Sequence, residues 1–237
     1  IYRFKIIKLM KKNFFDKKIV KKPWGSEYVI YKDQNSIAIT YLDINYNHQT
    51  SLHCHTTKKT GFIILNGNAK VQYGIYKINK KFMRPINRFI FRPGLFHSIK
   101  SISKKGLKLL EFETPYDKED LVRLEDKYGR KAKRYEGKKF TENLKSKNIV
   151  FKKPTKGKKN KYNLDNVEII IEKIKSLNEP SKKDDKISVA ILSGCLIDKK
   201  GLEVLSCGDL LKLSTLKILH KSFKIKKNLI LMKVIKH

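Results

Sequence analysis

Short apolar stretches punctuated by polar turns run through residues 27–112: Glu27–Tyr31, Ser36–Leu42, Ser51–His55, Phe62–Leu65, Ala69–Tyr76, Arg88–Phe91, Ser98–Ile102 and Leu107–Phe112. Between them stand turn signals such as Lys32-Asp33-Gln34-Asn35, Asn66-Gly67-Asn68 and Lys104-Lys105-Gly106. Short strands at near-regular spacing with little helix between them predict an all-β barrel or sandwich, and Asn66-Gly67 predicts a tight hairpin. Asp120–Asp126 has helical spacing and stops at Gly129. From Lys131 to Tyr162 the chain is rich in Lys and poor in apolar residues, the pattern of a solvated linker. Leu164, Val167, Ile171, Ile174 and Leu177 recur at three- and four-residue steps, predicting an amphipathic helix before Pro180. Ile187–Leu192, Leu202–Leu205, Leu210–Leu213, Ile218–Ile225 and Leu229–Ile235 again look like strands. Val189–Gly194 parallels Phe62–Gly67, which suggests a reduced second copy of the first barrel. The expected division is an N-terminal extension (1–19), a first β domain (20–130), a basic linker (131–162) and a degenerate second β domain with a leading helix (163–237).

Composition narrows the function classes. Hydrophobic residues make up 40% of the 237, enough for a packed core, which argues against global disorder. No apolar run approaches the ~20 residues that cross a bilayer, so no membrane partner is expected and the cytoplasm is the default location. Residue 1 is Ile, and Met10 reads as a start, with residues 1–9 an upstream extension. The net charge is +33, but Lys is spread over every segment beside abundant Ile and Asn, which reads as a composition bias. Nucleic acid is disfavoured because the interleaving of Arg with aromatics is missing, whereas a small anionic substrate gains from the positive field. Cys54, Cys195 and Cys207 have neither disulfide nor zinc-knuckle spacing and read as reduced thiols.

The chemistry concentrates between Leu52 and His97. His53 and His55, at i and i+2 on a strand, point to one face while Cys54 turns away, and His97 can meet them. Three convergent imidazoles outline a metal site. His220 reads as structural.

The spacing of His53, His55, Thr60 and Gly67, followed by Gly94 and His97, resembles the two motifs of the cupins, small double-stranded β-barrels of jelly-roll form. Asn47 stands where the first motif's leading Gly falls, and Arg92 where the second motif's Pro falls, with Pro93 next to it. Within that superfamily the chain is similar to type II mannose-6-phosphate isomerases, including the C-terminal domain of bifunctional mannose-1-phosphate guanylyltransferases. Lys22-Pro23-Trp24-Gly25-Ser26-Glu27, Thr50–His55 with Lys58, Pro93–His97 and Asp120–Arg130 carry the likeness. It implies one divalent metal ion (Zn, Fe or Mn) on His53, His55 and His97. It also implies aldose–ketose isomerisation of a sugar phosphate in activated-sugar or polysaccharide biosynthesis. Lys58, Arg92 and Arg123 would hold the substrate, and Glu111, Glu113 and Arg123 would serve catalysis. A homodimer is compatible with the fold. Two family residues are missing: the ligand Glu is replaced by Thr60 and the following His by Gly61. A non-catalytic cupin that binds a sugar or a partner protein is the rival expectation.

Overall fold

In the computed structural model, residues 14–34, 36–130 and 137–236 are described. The reading of residues 1–9 and Met10 lies outside them, as does the start of the expected linker. The strands are β1 Lys18–Lys22, β2 Gly25–Asp33, β3 Ile37–Ile44, β4 Leu52–Cys54, β5 Lys59–Asn66, β6 Ala69–Tyr73, β7 Lys80–Met83, β8 Arg88–Phe91, β9 His97–Ser101, β10 Leu107–Thr114, β11 Val122–Glu125 and β12 Thr141–Asn143. They continue as β13 Lys159–Leu164, β14 Val167–Ile174, β15 Ile187–Ile197, β16 Glu203–Leu205, β17 Leu210–Lys212 and β18 Lys224–Lys236, with one helix, α1, at Leu213–Ser222.

Two antiparallel sheets make the first domain. One has seven strands in the order β12-β1-β2-β3-β10-β5-β8, the other five in the order β11-β4-β9-β6-β7. All eight strands expected in residues 27–112 are present, with ends moved by a few residues. The apolar run of β5 shows why they hold. Phe62 and Ile64 point into the space between the sheets with Leu42, Ile44, Leu107 and Leu109, while Ile63 and Leu65 point out with Ile39, Tyr41, Leu110 and Phe112. An unbroken apolar strand is the mark of burial on both faces.

The outward face is covered by the C-terminal part of the chain. A six-stranded sheet, β13-β14-β18-β15-β16 with β17 beside β15, lays Val167, Ile169, Ile171, Ala190, Leu192, Met232 and Val234 against it. Its other face packs Val189, Ile191, Leu229 and Leu231 under Leu213 and Leu216 of α1. The described residues of this part form one sheet, an added layer on the barrel.

Four element readings are corrected. Asn66-Gly67 turns the chain but closes no hairpin, because β5 pairs with β10 and β8 in one sheet and β6 with β7 and β9 in the other. Residues 164–177 are not a helix: β13 and β14 form a hairpin in which Leu164 pairs with Val167 around Asp165-Asn166. Val167, Ile169 and Ile171 alternate as one buried strand face, and the β-branched run outweighs the helical spacing. The helix, Leu213–Ser222, lies instead over most of the strand expected at Ile218–Ile225, because Leu213 and Leu216 cap the far face of the new sheet, while the strand expected at Leu210–Leu213 is present as β17. Asp120–Asp126 contains β11, paired with β4, since the edge of the five-stranded sheet takes up its backbone hydrogen bonds. The linker is also structured in its described part: β12 pairs with β1, and Phe151 is buried in the interlayer core.

Candidate metal centre and its cavity

The three histidines are set side by side by strand pairing. His53 on β4 is directly opposite His97 on β9, and Arg123 of β11 is opposite His53 on the other side. His55 follows the end of β4. Their ligand atoms lie within 4.8 Å of one another, and all three side chains are buried.

Backbone carbonyls fix each ring. The Nδ1 of His53 donates to Ser51 O (2.8 Å), that of His55 to Asp120 O (2.5 Å) and that of His97 to Leu95 O (3.0 Å). An Nδ1–H committed to a carbonyl leaves the Nε2 lone pair free to bind. The Nε2 atoms of His55 and His97 are buried with no partner, a cost the fold tolerates where a ligand satisfies them. Burial, reinforced by His97 and His55, holds His53 well below the ordinary imidazole range. Burial and then Lys58 take His55 down to about 4, and burial and then His55 take His97 to about 3. At pH 7 all three are neutral donors. Three neutral imidazoles with inward Nε2 atoms fit a divalent cation of the Zn²⁺ or Fe²⁺ kind.

The loops around them are tied to one carboxylate. Asp120 accepts hydrogen bonds from the backbone N–H of Thr56 (2.6 Å), Thr57 (3.0 Å) and Lys58 (3.0 Å) and from both threonine hydroxyls (2.8 Å each). Burial alone would raise its pKa; the donors from Thr56 and Thr57 overcome it and hold the carboxyl ionised. Gly94 N donates to His55 O (2.7 Å), joining the two histidine segments. Asn47, in the leading-glycine position, has φ +63, the left-handed region that Asn enters more readily than other side chains.

Facing the histidines, the inward side of the seven-stranded sheet supplies charge. A cavity is lined by Lys22, Trp24, Glu27, His53, His55, Lys58, Phe62, Glu111, Glu113, Lys118, Arg123 and Arg130, among others. His97 lies behind its wall, stacked on Phe91 at 4.1 Å. Glu113 is clamped by Lys58 Nζ at 2.6 Å and Lys118 Nζ at 3.0 Å. Burial would raise its pKa, but Lys118 and Lys58 outweigh that and keep it anionic. Glu111 behaves differently. Burial, and then the charge of Glu113, push its carboxyl up to about 8, and among the described residues it has neither hydrogen bond nor ion pair. Arg130 pairs with Asp126 at 2.7 Å, and that carboxylate also takes the backbone N–H of Tyr128 and Arg130.

Of the residues singled out from sequence, His53, His55, His97, Lys58, Glu111, Glu113 and Arg123 converge. Arg92 does not: it is exposed, because strand alternation turns it away from buried Phe91. Lys58, with 2% of its surface exposed, is occupied by Glu113 and by Asp117 O (2.7 Å). Cys54 faces away from the imidazoles as its position between them requires, and all three thiols are free. The sequence reading missed Lys22, Glu27, Lys118 and Asp120. The first two sit in the Lys22–Glu27 stretch already noted and Asp120 opens the Asp120–Arg130 one, whereas Lys118 carried no signal.

The two missing family residues have separate fates. Thr60 is opposite Glu113 on the inward face, and its buried hydroxyl has no partner. Gly61 faces the other way, out toward the C-terminal layer: a Cβ there would lie 2.6 Å from Leu210 Cδ1. Replacement of the family's His by Gly61 therefore leaves the cavity untouched and makes room for the added sheet.

Residues 10–126 match the family described as mannose-6-phosphate isomerase C-terminal. No curated protein matches the chain. Among solved structures, the Cnp3 cupin domain of Schizosaccharomyces pombe is 20% identical over 38% of this chain and 64% of its own length, with TM-score 0.35. KdgF from a Halomonas species is 12% identical over 40% of this chain and 84% of its own, with TM-score 0.36. The capsular polysaccharide assembling protein CapF of Staphylococcus aureus is 14% identical, with TM-score 0.41; the match covers 46% of this chain and 34% of CapF. The chain thus spans less than two thirds of the first of these relatives and about a third of the last. By its matched residues, its paired histidine strands and its two-sheet barrel, this chain carries a cupin resembling the C-terminal domain of mannose-6-phosphate isomerases.

Proposed function

We propose that the cavity binds a small sugar phosphate and interconverts its aldose and ketose forms, as a step in activated-sugar or polysaccharide synthesis. One observation carries the reading: a carboxyl poised near pH 8, Glu111, shares a basic cavity with His53 and His55, and their Nδ1 atoms, like that of His97 beside them, are committed to backbone carbonyls. A divalent cation on the Nε2 atoms of His53, His55 and His97 would supply Lewis acidity for an open-chain carbonyl and its enediolate. Glu111, ionised, takes the proton from the carbon beside the carbonyl and returns it to the neighbouring carbon; a base tuned toward the working pH suits both transfers. Glu113 is a scaffold anion in this scheme, because two lysines hold it ionised. The cavity lining sets Lys22, Lys58, Lys118, Arg123 and Arg130 against Glu27, Glu111 and Glu113, a positive balance that favours a phosphate.

The rival reading, a non-catalytic cupin that binds a sugar or a partner protein, is favoured by Thr60 in place of the ligand Glu. Deuterium exchange separates the two. The parent protein, loaded with Zn²⁺, Mn²⁺ or Fe²⁺, is expected to move solvent deuterium into C2 of mannose 6-phosphate or C1 of fructose 6-phosphate. Binding of either sugar with exchange no faster than in His97→Ala would favour the rival.

A further inference from the structure

Lysine is spread along the whole chain, but acid is not: none of the 22 Asp and Glu residues falls between Ile44 and Leu110. The fold gathers much of that stretch onto one surface, the outer face of the five-stranded sheet and the β6–β7 hairpin. Lys70 on β6 is flanked by Phe82 on β7 and Lys100 on β9. Gln72 is next to Lys80 on one side and Ser98 on the other. Lys77 and Arg84 are exposed along the hairpin and its exit, with Arg84 over the Phe82 ring at 5.3 Å; Lys81, opposite buried Val71, turns to the inner side over the Phe89 ring. The nearest acid on this sheet is Glu125, on β11 at the opposite edge.

The hairpin also exposes apolar side chains that no layer covers. Ile78 is 87% exposed, Tyr76 68%, Ile75 50% and Phe82 47%. They cluster at the open edge of the sheet, since β7 is its last strand. Scattered exposed hydrophobics are ordinary, but a cluster rimmed by cations marks an interaction surface.

We infer that this face docks on an anionic phospholipid bilayer, with Ile75, Tyr76 and Ile78 entering the headgroup boundary and Lys70, Lys77, Lys80 and Arg84 lying along the phosphates. It is a surface contact; no helix among the described residues is long and apolar enough to cross a membrane. Charge selects the occupant. A second copy would bring the same cations against themselves. A nucleic acid would satisfy the lysines but leave the aliphatic tip exposed, because bases stack on aromatic rings and not on Ile75 and Ile78. An anionic bilayer answers both halves, apolar insertion and cationic attraction. The inference is independent of the isomerase reading, because none of these residues lines the cavity.

Co-sedimentation tests it with vesicles of phosphatidylcholine alone and vesicles containing about one-third phosphatidylglycerol. The full chain is expected to pellet with the anionic vesicles and stay in the supernatant with the neutral ones. Ile75→Ser/Ile78→Ser and Lys70→Gln/Lys80→Gln should each weaken binding by roughly tenfold or more. Lys145→Gln/Lys147→Gln, the same charge removed from exposed positions elsewhere, should stay within about twofold of the parent. Every altered side chain is exposed, and emission from the single Trp, buried Trp24, reports that the barrel is intact. Equal loss in the Lys145/Lys147 variant would reduce the effect to bulk charge and overturn the proposal. So would full vesicle binding by the Ile75/Ile78 variant, or lysine-dependent capture of a single-stranded oligonucleotide with no vesicle binding.

Discussion

Asp120 bears on the metal centre without facing it. Its carboxylate gathers the N–H groups of three successive residues, and its carbonyl fixes the His55 tautomer. Asp120→Asn keeps the shape, but an amide nitrogen replaces one acceptor oxygen. A loss of about 1–3 kcal/mol in denaturant unfolding is expected, together with weaker metal retention on dialysis. Glu111 and Glu113 are two residues apart on one strand face and opposite in character, since one lies between ionised and neutral near pH 8 and the other is pinned by lysines. Glu111→Gln is expected to slow deuterium exchange by roughly 10²–10⁴-fold while metal content is unchanged. In the parent, exchange should rise with pH as Glu111 ionises, levelling off above about 8. Glu113→Gln removes the second cause of that upward shift and frees two cations beside it, so the midpoint moves to lower pH. An exchange profile that stays flat across this range would rule Glu111 out as the base.

At the level of elements, the junction between β5 and β17 decides how the two parts of the chain fit. Leu210 fills the space left by the absent side chain of Gly61, with Phe89 O as the other wall at 3.2 Å. Restoring the family's residue by Gly61→His would push a ring into Leu210 and the backbone of β8. Overpacking of that kind costs about 1–3 kcal/mol, and Leu210→Ala alone roughly 2–5. If the contact is as described, the double variant should be less destabilised than the sum of the two, a coupling readable in a thermal-unfolding cycle. Strict additivity would show that Gly61 and Leu210 do not share this space. The misread hairpin of β13 and β14 belongs to the same scale. Its Asp165-Asn166 turn was a local signal, but Ile169 and Ile171 became strand residues because the barrel offers them a flat apolar surface.

Taken whole, the molecule is three sheets deep with a helix on the last. The cavity opens between the first two sheets, and the C-terminal layer lies on the far side of the seven-stranded sheet from it. A chain ending at residue 130 should therefore keep its cavity residues and lose the cover over Tyr28, Ile30, Ile39, Tyr41, Ile63 and Phe112. An exposed apolar face of that extent promotes association, so the shortened chain is expected to scatter light and bind hydrophobic dye at concentrations where the parent does neither. Metal analysis addresses the other side of the sheet. Near-stoichiometric ion in the parent, lost in His53→Ala/His55→Ala, is the expected result; ion absent from both after incubation with Zn²⁺, Mn²⁺ and Fe²⁺ would leave the imidazoles without that role.

Local chemistry made much of the first domain legible. Alternation along the strands and the i, i+2 histidines depend on neighbours within a few residues, whereas His97 was assigned by the cupin resemblance and reaches His53 through the pairing of β4 with β9. The double burial of Phe62–Leu65 was visible as an unbroken apolar run, but what covered its second side was not. Long-range packing decided the remainder. It turned Leu164–Ile174 into a hairpin and put the helix at Leu213–Ser222. It drew Thr141–Asn143 and Phe151 out of a basic stretch into the fold. It also separated Glu111 from Glu113. Both carboxyls share a strand face, and only the lysines that other loops bring beside one of them make the two chemically different.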